Sequence, residues 1–233
     1  TGDTNPLDSK DGRAKAVTAY VQLGVGYLQQ GATERAKSPL QKALEIDPSN
    51  ADANAALAMV FQIEMEPELA EKYYRRALSE SDEPTRIQNN YGSFLFEQQR
   101  YPDAFEYFQK AAANTMYPGR SRVYENLGLT ALKLNQRPQA KTYFQKALRL
   151  DPTQSRSLLE IAIIAYEDKE YVPSREYYTR FKKDGEQNAR SLLLGIRLAT
   201  IFEERNLAAS DALQLKRLYP TSAEYQQYLL EKK

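Results

Sequence analysis

Four glutamates crowd into one short stretch, Glu64, Glu66, Glu68 and Glu71, and paired carboxylates are the working groups of acid/base hydrolysis in glycosidases. The cluster flanks Pro67, however, which marks a turn, and acids beside a helix N-terminus are favoured by the helix dipole whatever the function. These four are therefore read as solvated helix-start residues. The rest of the inventory is equally poor in chemistry. Histidine is absent, which removes the commonest general base near neutral pH and the usual zinc and copper ligand. Cysteine is absent as well, so thiolate nucleophiles, disulfides and thiolate metal sites are excluded. No glycine-rich phosphate loop occurs. The expectation is a protein that is not an enzyme and holds no metal or cofactor.

With 42% hydrophobic and 27% charged residues, the 233-residue chain has the apolar material for an ordered fold. Only 10 Gly and 11 Pro argue against long linkers, and one continuous body is expected. Lys plus Arg number 32 against 31 acidic residues, so no global field draws the chain to nucleic acid or an anionic membrane. No apolar run approaches the roughly 18 residues of a membrane-spanning helix, and no signal-peptide core is present. The chain reads as cytosolic, or as the mature part of something processed.

One phrase returns. LEIDP at Leu44–Pro48 is echoed by LRLDP at Leu148–Pro152, 104 positions later, which is three periods of 34 plus two, and 34 is the length of the tetratricopeptide helix-turn-helix unit. From Val17, the key positions of that pattern are filled by Tyr20, Leu23, Gly24, Tyr27, Ala36, Leu40, Ala43 and Pro48. From Ser121 they are filled by Tyr124, Leu127, Gly128, Ala131, Ala140, Phe144, Ala147 and Pro152. Units from Ala51 and Thr85 lie between, the second lengthened by two residues at Pro118-Gly119. A fifth unit starts at Ser155. A sixth is degenerate; a frame set near Leu192 leaves Asp211 and Leu218 where small residues are expected.

The expected fold is thus all-α, a right-handed superhelical solenoid of six tetratricopeptide units, 17–50, 51–84, 85–120, 121–154, 155–188 and about 189–221, closed by a capping helix at 222–233. Glycine or alanine at position 8 and alanine at positions 20 and 27 let helices approach closely. Pro102 and Pro138 fall at the starts of second helices, where a missing N–H costs little, whereas Pro39 lies inside one and should remove a backbone hydrogen bond and kink the helix. Residues 1–16, with Leu7 their one large apolar residue, read as a tail or tether.

In such arrays the first helix of each unit lines the concave surface through positions 2, 5, 9, 12 and 13. In the first unit these include Val21, Val25 and Leu28, so that helix is apolar on its groove face as well as on its packing face. Either the N-terminal tail or a partner segment must cover the excess. Met59 and Ile63 continue the groove, and methionine suits an adaptable surface. Asn89, Asn90 and Asn126 follow, each able to bond an extended peptide backbone or, equally, to bond within the solenoid. Val25→Glu is expected to weaken partner binding and leave the fold intact. The basic clamp that some tetratricopeptide proteins use for C-terminal carboxylates is missing, since Val21, Val25, Ala55, Met59, Asn89 and Ser93 hold its positions, and the partial match Asn126 then Arg156 ends in Glu160.

The wording of the chain resembles the type IV pilus biogenesis lipoproteins of the PilF/PilW family, the pilotins of the pilus secretin. The similar stretches are AYVQLGVGYLQQG (19–31), NNYGSFLFEQQRY (89–101), YPGRSRVYENLGL (117–129), NARSLLLGIRLA (188–199) and LKRLYP (215–220). The resemblance implies an outer-membrane lipoprotein facing the periplasm that binds secretin subunits and promotes their localisation and ring assembly, supporting pilus biogenesis and twitching motility. It also implies a lipidated cysteine at the start of the mature protein. Since no cysteine occurs, the expectation is that the anchor lies outside the given sequence, with 1–16 as the tether, and that the free protein is a monomer. The alternative is a general tetratricopeptide scaffold for a peptide of another partner.

Overall fold

The computed structural model describes residues 4–232, and among these the regular structure is entirely helical. Two compact units are formed, Thr1–Tyr117 and Pro118–Lys233. The first holds α1 (Lys10–Gln29), α2 (Thr33–Ile46), α3 (Ala51–Ile63), α4 (Pro67–Glu80), α5 (Thr85–Glu97) and α6 (Tyr101–Ala112). The second holds α7 (Arg120–Lys133), α8 (Arg137–Leu150), α9 (Ser155–Glu167), α10 (Tyr171–Asp184), α11 (Ala189–Ile201), α12 (Arg205–Leu218) and α13 (Ala223–Glu231). Through α12, each odd-numbered helix packs most extensively on the even-numbered helix that follows it.

A single device makes the hairpins. At each turn one residue takes a left-handed φ: Gly31 at 74°, Met65 at 60°, Gln99 at 59°, Asn135 at 57°, Lys169 at 62° and Glu203 at 59°. These recur every 34 residues except between Gln99 and Asn135, where Pro118-Gly119 adds two. At each of them two N–H groups reach back to orphan carbonyls of the ending helix, as Met65 N–H does to Gln62 O (3.1 Å) and Glu66 N–H to Phe61 O (2.8 Å), which is the Schellman closure. Only the first turn uses glycine, so the later ones carry non-glycine residues in a conformation that costs them energy.

The joins between hairpins explain the echoed phrase. Asp47 Oδ1 accepts from Ser49 N–H (3.2 Å) and its hydroxyl (2.9 Å), and Asp151 Oδ1 accepts from Thr153 N–H (3.0 Å) and its hydroxyl (2.8 Å). The aspartate of each DP pair thus folds the chain onto itself before the next helix. Pro67 is the first residue of α4, Pro102 and Pro138 are the second residues of α6 and α8, and α2 runs on through Pro39.

Small residues set the helix spacing. A Cβ on Gly24 would lie 2.5 Å from the Leu40 side chain, on Gly92 2.6 Å from the Phe108 ring, and on Gly128 2.6 Å from the Phe144 ring. Alanines 36, 43, 70, 77, 104, 111, 140 and 147 are fully buried between the helices.

Two expectations from the sequence are corrected. The segment 1–16 is not a simple tail: a 3-10 turn at Pro6–Asp8 leads into α1, which starts at Lys10 after the Ser9 hydroxyl accepts from Gly12 N–H at 2.9 Å. Residues 1–3 lie outside the described part. In the sixth hairpin, the left-handed Glu203 sets the frame three residues earlier than Leu192 implies, so Ala208 and the buried Leu215 take the inner positions. Leu218 faces solvent, and Asp211 sits half-buried beside Gly195 with its carboxyl pKa raised by burial.

Candidate protein-binding surfaces

The groove residues named from the sequence are not a freely open surface. Val25 and Leu28 pack, half-buried, against a cluster formed by Ala36, Leu40, Ala56, Leu57 and Val60, and Val21 packs on Val17, Ala43 and Ala53. The helices of the first two hairpins therefore supply much of the cover expected from the tail or a partner. What stays uncovered on α1 is Leu23, at 48% exposure, which the pattern assigns to the packing face. Its counterpart Leu57 is buried on Ala36 and Leu40 of the preceding hairpin, and among the described residues no hairpin stands before α1.

On α3, Met59 is half-buried and Ile63 is 55% exposed. Asn90 Nδ2 donates to Met59 Sδ at 3.7 Å, linking α5 to α3 on this face. Asn89 is half-buried on the same helix. Neighbouring first helices are tied further by Arg86 to Asp52 (2.8 Å) and Gln62 Nε2 to Glu97 Oε2 (2.8 Å). The first unit thus brings Val21, Val25, Leu28, Met59, Ile63 and Asn90 onto consecutive helices α1, α3 and α5. Asn126 belongs to the second unit, on α7, where its carbonyl accepts from the Thr130 hydroxyl at 2.7 Å.

The glutamate cluster has a structural task. Glu71 accepts from the Tyr91 hydroxyl (2.7 Å) and from Arg100 (2.9 Å to each oxygen), pinning α4 to α5 and to the α5–α6 turn. Burial pushes the Glu71 carboxyl up, but the hydrogen bonds from Tyr91 and Arg100 outweigh it and hold the group below the ordinary glutamate range. Glu64 pairs with Lys37 at 2.7 Å, and that hydrogen bond lowers the carboxyl and raises the ammonium. No group of three or more metal-ligating side chains occurs among the described residues.

Glu160, where a carboxylate clamp would need a base, is buried and held by Arg190 of α11 through both oxygens, one at 3.1 Å. This pair was not visible in the sequence frame, which treated Glu160 only as a missing cation. The 30-residue separation of two opposite charges, near one repeat period, was the available signal.

Models described as tetratricopeptide repeat match residues 17–50, 83–153 and 126–189. The type IV pilus assembly protein PilF of Pseudomonas aeruginosa is 58% identical over 232 residues, covering 100% of this chain and 92% of that one. The chain belongs to the PilF family. A solved structure of Pseudomonas aeruginosa PilF superposes with a TM-score of 0.92 over 94% of this chain and 99% of that one. The crystal structure of PilW, described as a widely conserved type IV pilus biogenesis factor, matches with a TM-score of 0.77 at 26% identity, covering 91% of this chain and 98% of that one.

Proposed function

We propose that this PilF-family chain is a non-enzymatic adaptor of type IV pilus assembly, and more specifically a pilotin: it binds secretin subunits and promotes their localisation to the outer membrane and their multimerisation, in support of pilus biogenesis and twitching motility. The observation that carries the reading is the match to an assembly protein of the pilus along the entire chain at 58% identity. The half-exposed apolar stripe of Val21, Val25, Leu28, Met59 and Ile63, with Asn89 and Asn90 beside it, supports the first unit as the face that takes a partner segment, and Asn126, on α7 of the second unit, is proposed as a polar contact of its own. Apolar anchors bordered by amide groups suit an extended or helical protein segment. We place the protein at the periplasmic face of the outer membrane, held by an N-terminal lipid; no described helix is long and apolar enough to cross a membrane.

The test is capture of detergent-solubilised secretin from a piliated Gram-negative envelope. Val25→Glu is a poor probe, because Val25 packs on Leu40 and Leu57 and a buried carboxylate costs stability. Ile63→Glu is the better one, as the side chain is mostly exposed. Capture by the wild type that drops about tenfold or more with folded Ile63→Glu supports both the partner and the face. Capture unchanged by Ile63→Glu moves the contact elsewhere, and no capture by folded wild type leaves only the general scaffold.

A further inference from the structure

We propose that the groove between α8 and α10 in the second unit is a docking site for an acidic, extended protein segment, separate in its residues from the face assigned to the secretin. The groove has a volume of about 700 Å3 and is lined by Lys146, Arg149 and Arg180 together with Leu148, Leu150 and Tyr177.

Its cations differ from the others around them. In the same unit Arg137, Lys141, Arg175, Arg190 and Arg197 each hold a carboxylate. Lys146, Arg149 and Arg180 make no ion pair among the described residues, yet two of them are fixed in place. Lys146 Nζ sits 4.8 Å from the centroid of the Tyr124 ring. Arg180 donates to Pro152 O at 2.8 Å and lies 5.7 Å from the Tyr177 ring, which leaves further guanidinium N–H groups for a ligand. Three positive charges without a carboxylate partner therefore share the groove, and the two held on ring and backbone supports, Lys146 and Arg180, are preorganised for an anion.

The rest of the lining decides which anion. Leu150, about half exposed at the end of α8, and Tyr177 offer apolar contact between the charges. A chain that alternates acidic and apolar side chains meets both. A lipid headgroup layer fits less well, because the charges line a groove and Glu176 occupies the adjoining depression on α10, where a flat anionic surface would meet it. The positive field is local to the groove in a chain whose net charge is only +1.

The experiment uses the full chain, a fluorescein-labelled peptide of alternating aspartate and leucine, the same peptide with lysine for aspartate, and vesicles containing phosphatidylglycerol. The acidic peptide is expected to bind with an affinity that falls as salt rises. The double variant Arg149→Glu/Arg180→Glu should weaken it about tenfold or more, with circular dichroism unchanged because both side chains are exposed. Should that variant misfold, Arg149→Gln alone serves, with a smaller loss. Equal binding of the lysine peptide, undiminished binding by the folded variants, or binding to vesicles alone would each overturn the proposal.

Discussion

Leu57 is 1% exposed, and Leu23, one repeat period earlier, is 48% exposed. The two leucines hold the same position of the same pattern, so the difference lies in what stands before them: Leu57 meets Ala36 and Leu40 of α2, and among the described residues no earlier hairpin meets Leu23. The C-terminal end of the array is finished differently. There α13 closes over α11, with Tyr225 and Tyr228 packed on Leu192, Ile196 and Leu215, and Arg197 holds Glu231 through two hydrogen bonds of 2.6 and 3.1 Å. A repeat pattern specifies interior neighbours, and an end must be supplied with its own cover or left open.

The sharpest test of that contrast is the pair of truncations. Leu57→Ala should cost about 2–5 kcal/mol in chemical denaturation, as a buried large-to-small change, whereas Leu23→Ala should stay within about 0.5 kcal/mol. Comparable losses would mean that α1 is covered in solution by something further. Next comes the interior spacing. Gly128→Ala forces its methyl group into the Phe144 ring and should cost about 1–3 kcal/mol, while Gly26→Ala, with open space around its Cβ, should be neutral or stabilising by up to about 1 kcal/mol.

The turns allow a smaller comparison. Gly31→Ala should destabilise by about 1 kcal/mol, because φ is 74° there, and Met65→Gly should gain something under about 1 kcal/mol at φ 60°. Thermal midpoints moving in opposite directions would confirm that only the first turn is already relaxed. The smallest effect belongs to the C-terminal closure. Glu231→Gln should cost under about 1 kcal/mol, since the pair is partly exposed, but should speed amide exchange in α13. The hydrogen bond from Arg197 lowers the Glu231 pKa below its ordinary value of 4.5. Its contribution is therefore complete above that ordinary value and is lost as pH falls through the lowered one. Exchange in α13 that is indifferent to acid would show that the tyrosines alone hold the helix.

Much of the hairpin pattern was legible because it is local. The 34-residue period, the small residues at close approaches and the DP turns each depend on neighbours in sequence, and the two-residue insertion at Pro118-Gly119 reappears as the one longer spacing between left-handed turn residues. The start of α1 was missed because residues 10–16 are polar around the helix and carry no apolar stripe; the Ser9 cap and the 3-10 turn define it instead. The residues named for the groove lie on α1, α3, α5 and α7, but sequence position could not say how much of Val21, Val25 and Leu28 the neighbouring helices would take. The α8–α10 groove escaped notice because Lys146, Arg149 and Arg180 each read as an ordinary solvated charge.

By itself, then, the sequence determined the helical class, the repeat length, the absence of histidine and cysteine chemistry, and the family wording, all properties of residue type and short-range spacing. Tertiary structure alone decided which leucine is left uncovered, that Glu71 and Glu160 are bound into helix-to-helix contacts, and that three cations from two helices share one groove. Those outcomes depend on distances between side chains far apart in the chain, and burial and charge pairing are fixed only when the helices have packed.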